Sequence, residues 1–120
     1  MAFLFENLRV YQESLAFADT IIALTKTFPR GFYFLADQLN RAAASIPTNI
    51  AEGNGRFTKA DRKHFFTIAR GSLLECVPLL DLAYRHRMID EPRRLALREH
   101  IETISKMLTG LIHGCDQRSV

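Results

Sequence analysis

Apolar side chains recur along this chain at alternating intervals of four and three residues, the spacing that places them on one face of an α-helix. Four stretches show this pattern, and short runs containing proline or glycine separate them. The pattern predicts four helices, over residues of about 6–27, 34–54, 58–87 and 91–113. Since no segment alternates apolar and polar residues with a period of two, no strand is predicted.

Each predicted helix has an apolar stripe that we expect to face the other helices. The stripe of the first helix repeats at intervals of 4, 3, 4, 3, 4 and 3 residues and consists of Leu4, Leu8, Tyr11, Leu15, Ala18, Ile22 and Thr25. The stripe of the third helix is widened by Ile68, Leu73 and Leu80, and its centre consists of Phe65, Ala69, Ser72, Cys76, Leu79 and Ala83.

Proline, glycine and a capping residue mark the ends and bends of these helices. Pro47 lies inside the second helix, where we expect a bend rather than a break because the apolar period resumes after it. Gly53 and Gly55 are predicted to end this helix in the left-handed conformation that glycine tolerates. Thr58 is a good N-cap for the third helix, and Gly114 is expected to end the fourth.

Short connections between four helices favour antiparallel neighbours, so the predicted fold is all-α, an up-down-up-down four-helix bundle. A length of 120 residues predicts a single domain, 1–120. A domain of this size buries about two-thirds of its unfolded surface, and an apolar stripe left exposed would favour self-association.

Composition predicts a cytoplasmic protein with no membrane partner. The apolar fraction of 48% is ordinary for a globular protein, and no apolar run approaches the ~18–20 residues that span a bilayer. The two cysteines, Cys76 and Cys115, have no metal-binding or redox spacing. Because the sequence shows no signal peptide, we expect both thiols to be reduced.

Charge is unevenly distributed, although the net charge is only +3. Residues 56–98 contain ten basic and five acidic side chains, a net charge of +5, whereas residues 1–55 and 99–120 each carry −1. The first basic cluster, at the start of the third helix, consists of Arg56, Lys59, Arg62, Lys63 and Arg70. The second, around the following turn, consists of Arg85, Arg87, Arg93, Arg94 and Arg98. These clusters are either solvated surface or sites for a phosphate backbone.

The connection before the second helix has four aromatic residues within seven, from Phe28 to Phe34. One interpretation is that they close one end of the bundle. The other is that they stack on nucleic-acid bases, which requires them to be exposed.

Catalytic and metal-binding patterns are not evident in the sequence. The four histidines are scattered, and no Glu-x-x-His pair of a di-iron bundle is present. Ser45, Ser72 and Cys76 have no evident partner base. The run Gly53–Arg56 only faintly suggests a phosphate loop, since no strand precedes it and no Gly-Lys-Ser/Thr follows. We therefore expect no enzymatic activity, no cofactor and no metal.

Several polar residues of the second helix lie near its apolar face. Gln38, Asn49 and Glu52 form either a polar site inside the bundle or a hydrogen-bond network between helices, with Glu52 paired to Arg41 or Arg70. Separately, Gly71 and Ser72 on the third helix are expected to permit close approach to the small-residue patch 42–45.

Two long motifs resemble a known family: Leu35-x-x-Gln38-Leu39-x-Arg41-Ala42-Ala43-x-Ser45-Ile46-x-x-Asn49-Ile50-Ala51-Glu52-Gly53-x-Gly55-Arg56 and Phe65-x-x-Ile68-Ala69-x-Gly71-Ser72-x-x-Glu75. They resemble the four-helix-bundle proteins found in intervening sequences of bacterial large-subunit ribosomal RNA genes. That family is similar in fold to the accessory variability protein of diversity-generating retroelements, which is basic and binds nucleic acid and a reverse transcriptase.

The resemblance implies an antiparallel bundle that assembles as a ring-shaped homopentamer without enzymatic activity. It also implies that the matching residues define the bundle and its subunit contacts rather than a catalytic site. These structural-motif residues are Gln38, Arg41, Ser45, Pro47, Asn49, Glu52, Gly53, Gly55, Gly71 and Ser72.

Two functions are compatible with these features. The first is a non-enzymatic oligomeric bundle that binds RNA, DNA or a nucleoprotein through its basic clusters, which a ring would repeat and so strengthen. The alternative is a structural scaffold that binds a protein partner and no nucleic acid.

Overall fold

A computed structural model describes residues 3–117 as four α-helices. They are α1 (Arg9–Thr25), α2 (Tyr33–Asn54), α3 (Lys59–Arg85) and α4 (Glu91–Gln117). Short 3₁₀ turns at Leu4–Asn7 and Arg30–Phe32 precede α1 and α2. The predicted all-α class is confirmed, since no strand occurs within residues 3–117. None of these helices combines the length and the apolar character required to cross a membrane.

Successive helices pack side by side around one hydrophobic core, and the molecule measures 49 × 26 × 21 Å. The contact between α2 and α3 is the most extensive, and that between α1 and α4 is much smaller. Lys63 Nζ lies 3.0 Å from Asp116 Oδ2, so the α2–α3 connection and the last turn of α4 share one end, called here the α2–α3 end. The rings of Phe32 and His86 are 5.4 Å apart, which places the α1–α2 connection and the α3–α4 turn together at the α3–α4 end.

The predicted core stripe of α1 is wrong in part. The helix buries Val10, Ser14, Phe17, Ile21 and Leu24, together with Ala18 and Thr25 from the predicted stripe. Leu15 and Ile22, which were expected inside, are 43% and 39% exposed. Both stripes repeat at intervals of four and three residues, so local periodicity does not distinguish them. The packing of α1 against α2 and α4 decides which one is buried.

Helix α3 buries Ala69, Cys76, Leu79 and Ala83 of its predicted stripe, together with Leu73 and Leu80. Near its start, however, Phe66 rather than Phe65 is fully buried, and Ile68 is exposed. The ring of Phe66 packs against Gly53 of α2. A β-carbon added at Gly53 would lie 2.7 Å from Phe66 Cε1, closer than two carbon atoms can approach. Gly53 therefore permits close packing of α2 on α3, instead of ending α2 as predicted.

The end of α2 is not left-handed, since no glycine within residues 3–117 has a positive φ. Gly55 has φ −86° and ψ −4°, and its N–H donates to the carbonyls of Ala51 and Glu52 at 3.3 and 3.2 Å. The chain thus leaves α2 through a tightened right-handed turn. The predicted N-cap of α3 is present, because Thr58 Oγ1 accepts the Asp61 N–H at 3.1 Å. Pro47 is buried inside α2 and does not end it.

Among the residues that the structure describes, the one with a left-handed backbone is Arg87, at φ 64° in the α3–α4 turn. The Met88 N–H donates to the Ala83 carbonyl at 2.8 Å, and the Arg87 N–H donates to the Tyr84 carbonyl at 3.0 Å. These two bonds define a Schellman motif, in which the left-handed position is usually glycine. Arginine in this conformation costs roughly 1–2 kcal/mol.

Helix α4 continues past Gly114 to Gln117, so the predicted end near residue 113 is too early. Cys115 is buried, and the ion pair between Lys63 and Asp116 joins the last turn to α3. Contacts with another helix stabilise a turn that glycine alone would weaken. Residues 118–120 lie outside the described residues.

Candidate nucleic-acid interface

The ten basic residues predicted to bind nucleic acid are divided between the two ends and the flank of the molecule. Arg56 in the α2–α3 connection and Lys59, Arg62 and Lys63 at the start of α3 lie at the α2–α3 end. Arg70 lies further along α3, where its Nε donates to Thr109 Oγ1 at 3.2 Å. The two predicted clusters are therefore separate surfaces in the protomer.

Acidic side chains compensate part of the first cluster. Arg56 pairs with Glu52 at 2.9 Å, and its guanidinium lies over the Phe65 ring, 4.6 Å from the centroid. Lys63 pairs with Asp116 across the α3–α4 contact. Lys59 and Arg62 are half-buried and form no ion pair with residues 3–117.

The second cluster surrounds the α3–α4 turn. Arg85 and Arg87 line a shallow depression of about 510 Å³, and Arg93 lines an adjoining one of about 280 Å³ that reaches the end of α1. Asp90 is the acidic residue shared by both depressions, and its Oδ1 accepts the Arg93 N–H at 2.9 Å. That hydrogen bond caps α4.

Two arginines of the second cluster have different surroundings. Arg94 pairs with Asp81 at 3.4 Å and with Glu91 at 3.3 Å, and it lies over the Tyr84 ring at 4.6 Å. These contacts connect α3 to α4 and leave Arg94 mostly covered. Arg98 lines an apolar groove of about 340 Å³ between α3 and α4, away from the turn.

Seven of the ten basic side chains form no ion pair with an acidic group in the part of the chain that the structure describes. They are Lys59, Arg62, Arg70, Arg85, Arg87, Arg93 and Arg98. Uncompensated basic side chains attract phosphate groups by releasing the counterions that surround a nucleic acid. The ion pairs of Arg56 and Lys63 are exposed, and exposed ion pairs contribute only about 0–1 kcal/mol to the stability of a fold.

The aromatic residues of the α1–α2 connection fit both sequence-based interpretations, because some of the rings are buried and others are exposed. Phe28 is buried, and Phe32 is half-buried against His86. Tyr33 and Phe34 are 60% and 63% exposed, and the Phe34 ring lies 6.2 Å from that of Phe32. The sequence noted the density of aromatics, but only the packing reveals which rings remain accessible.

A polar network connects α2 to α3, but its residues are not all the ones predicted. Ser72 Oγ donates to Ser45 Oγ at 2.9 Å, and Asn49 Nδ2 donates to the same oxygen at 2.9 Å. Gln38 and Glu52 are exposed. Since Glu52 pairs with Arg56 just after the end of α2, it does not pair with Arg41 or Arg70.

Arg41 and Gly71 lie away from this network. Arg41 pairs with Asp37 at 3.2 Å along the surface of α2. Space near Gly71 is open, so within the protomer this glycine does not provide the predicted close approach between helices.

The nucleophile candidates are buried or engaged in this network. Burial, reinforced by the charge of Glu75, raises the pKa of the Cys76 thiol to about 12. The thiol therefore stays protonated near neutral pH, and a protonated thiol is a poor nucleophile. Ser45 and Ser72 bond to each other and to Asn49 rather than to a base.

The histidines do not assemble a metal site in residues 3–117, where no three His, Cys, Asp or Glu side chains converge in a metal-binding arrangement. His100 Nε2 lies 2.8 Å from Glu13 Oε1 and connects α4 to α1. His64 packs edge-on against Phe65, and His86 packs against Phe32. The contacts of these three histidines are thus one polar contact between helices and two packing contacts with aromatic rings.

Comparison with known proteins identifies the family. A solved structure of a protein of unknown function from the S23 ribosomal protein family of Bacteroides thetaiotaomicron VPI-5482 superposes with a TM-score of 0.81. The two sequences are 26% identical, and the match covers 87% of this chain and 95% of that one. No functionally curated protein matches the chain. The sequence model of the 23S rRNA-intervening sequence protein family matches residues 6–110, which contain both motifs quoted above, and the chain belongs to this family.

Proposed function

We propose that this protein is a non-enzymatic, oligomeric helical bundle of the cytoplasm that binds nucleic acid through its basic side chains. The ligand is RNA or DNA, alone or within a nucleoprotein. The observation that carries this proposal is the set of seven basic side chains that have no ion-pair partner within residues 3–117. A ligand with many negative charges, such as a phosphate backbone, would bind such a surface.

The proposed assembly is an antiparallel up-down-up-down bundle that forms a ring-shaped homopentamer. Lys63 near the start of α3 pairs with Asp116 near the end of α4, and Asp81 pairs with Arg94 near the start of α4; both contacts support antiparallel neighbours. Exposed Leu15 and Ile22 lie seven residues apart on one face of α1 and support self-association. The ring itself follows from the family resemblance.

Sedimentation velocity is expected to give a mass near five times the 13.7 kDa of one chain. Replacing Leu15 and Ile22 with glutamate is expected to lower that mass, because charges on an apolar contact surface oppose association. Circular dichroism on the variant checks that it remains folded. A wild-type protein that sediments as a stable monomer at micromolar concentration would contradict the assembly.

Binding is expected to weaken steeply as salt increases, because each phosphate contact adds about 0.7–0.9 to the slope of log affinity against log salt. The fourfold variant Lys59→Gln, Arg62→Gln, Arg85→Gln and Arg93→Gln should lower the affinity roughly 100-fold and the slope by about 3. Fluorescence anisotropy with labelled RNA and DNA measures both quantities.

The matched control is Arg41→Gln, which removes an exposed basic residue that lies outside both clusters and pairs with Asp37. It should leave the affinity within about twofold of wild type, as a long-range charge is screened at physiological salt. Binding that ignored salt, or that survived the fourfold variant, would contradict the proposal.

The alternative is a protein-binding scaffold, which the exposed apolar side chains Leu74, Leu82 and Leu95 favour. Exposed apolar side chains can be buried against a partner protein, which the hydrophobic effect favours. This alternative predicts no nucleic-acid binding even at low salt, together with a protein that co-purifies with the chain.

A further inference from the structure

The α3–α4 turn places an arginine where the backbone favours glycine. Arg87 is exposed, has φ 64°, and forms no ion pair with residues 3–117. Glycine would satisfy the Schellman hydrogen bonds of the turn without the steric cost of a side chain. A strained residue that contributes nothing evident to the fold suggests a role outside it.

The surroundings of Arg87 combine the two chemistries that bind single strands. Arg85 shares the depression beside Arg87, and Arg93 lines the adjoining one. The contact of Phe32 with His86 brings the α1–α2 connection to this turn, and the exposed rings of Tyr33 and Phe34 follow directly. Positive charge attracts the phosphate backbone, and aromatic faces stack on unpaired bases.

The α2–α3 end offers a weaker version of this surface. Phe57 is 96% exposed there, but the nearby Arg56 is paired with Glu52 and held over Phe65. Lys63 is paired with Asp116, and Lys59 and Arg62, unpaired within residues 3–117, are half-buried, whereas Arg85, Arg87 and Arg93 are exposed. At the α3–α4 end Asp90 caps α4, Glu91 and Asp81 pair with Arg94, and Asp37, one turn after Tyr33 and Phe34, pairs with Arg41. Arg85, Arg87 and Arg93 remain uncompensated within the described residues.

We propose that the α3–α4 end binds single-stranded nucleic acid, with bases stacked on Tyr33 and Phe34 and phosphates at Arg85, Arg87 and Arg93. This inference rests on the proposed function and adds the binding end and the strandedness of the ligand. In a duplex, base pairing and stacking hide the faces of the bases, so the aromatic contribution is available only to single strands.

The first test compares one labelled strand of about 12 nucleotides, alone and annealed to its complement. The double variant Tyr33→Ala and Phe34→Ala is expected to lose about tenfold or more in affinity for the single strand, with the salt slope unchanged. Duplex affinity should stay within about twofold, because phosphate contacts remain. Phe57→Ala is the matched control, an exposed aromatic at the opposite end, and should leave both affinities unchanged.

The second test is Arg87→Gly, which separates binding from folding. This variant is expected to lower the salt slope by about 0.7, the value of one single-strand phosphate contact. It should also raise the melting temperature by about 3 °C, because glycine relieves the left-handed strain. Unchanged binding by Arg87→Gly would overturn the assignment of phosphate contact to this residue.

The outcomes distinguish this inference from the proposed function. Failure of the wild-type protein to bind either probe at low salt would overturn both. Salt-dependent binding with equal loss from Phe57→Ala, or with no loss from the Tyr33 and Phe34 variant, would overturn this inference and leave the proposed function standing. Circular dichroism of every variant confirms that lost affinity is not lost structure.

Discussion

Replacing Phe66 with alanine is expected to lower the free energy of unfolding by about 3–5 kcal/mol. The ring is fully buried and packs on Gly53 at the most extensive helix–helix contact of the molecule. Alanine would lose the transfer free energy of the ring and leave a cavity that this close packing cannot fill. Because domains of this size are stable by only about 5–15 kcal/mol, urea denaturation should show a large shift of the midpoint.

Phe65→Ala is the matched control, because it removes the same ring one position earlier on α3. Phe65 is half-buried, and its ring lies under the guanidinium of Arg56. Loss of this ring should lower the free energy of unfolding by about 1 kcal/mol, because the ring is only partly buried and its cation–π contact is exposed. The sequence pattern had assigned Phe65 to the core. Equal losses for the two variants would show that Phe65 is buried as deeply as Phe66.

Gly53→Ala is expected to destabilise the protein by about 1–3 kcal/mol, although alanine is the better helix former. The added methyl would meet Phe66 Cε1 at 2.7 Å and Cδ1 at 2.9 Å. Phe66 is fully buried, so its ring cannot swing into solvent, and α2 must move away from α3. Thermal and urea unfolding of the variant would measure this loss.

Gly71→Ala, at another glycine inside a helix, is expected to stabilise the protein. Nothing lies within 4 Å of a β-carbon added there, so only helix propensity acts, and the variant should gain about 0.5–1 kcal/mol. The two variants should therefore change stability with opposite signs. A stabilising Gly53→Ala would contradict the close contact with Phe66.

A double-variant cycle isolates the Gly53–Phe66 contact. Phe66→Leu shortens the side chain, and in that background Gly53→Ala should be less destabilising than in the wild type. The coupling is expected to be about 0.5–3 kcal/mol, the range for residues in direct contact. If the losses from the two substitutions simply added, the methyl at Gly53 would be straining residues other than Phe66.

Much of the fold can be read from local signals. The 4-3 spacing identified four helices, and the Thr58 cap marked the start of α3 correctly. The prediction failed where a second helix decides the outcome. Local signals predict that Gly114 ends α4, but contacts of Cys115 and Asp116 with the rest of the molecule continue the helix past it.

The candidate site was only partly predictable. Charge counts located ten basic residues, but not that Arg94 is held between Asp81, Glu91 and Tyr84 while Arg87 is exposed with a strained backbone. An ion pair depends on distances across helices that sequence separation does not report. The same holds for the aromatic connection, where Phe28 is buried and Phe34 is exposed.

By itself, the sequence determined the number and the approximate bounds of the helices, the excess of positive charge between residues 56 and 98, and the family. These properties are local or additive along the chain, so periodicity, caps and motifs express them directly. Only the tertiary structure decided between the two stripes of α1, between Phe65 and Phe66, and between paired and unpaired arginines. Each of those choices depends on which face a neighbouring helix covers, and adjacent stripes with the same period become distinguishable only when that neighbour is present.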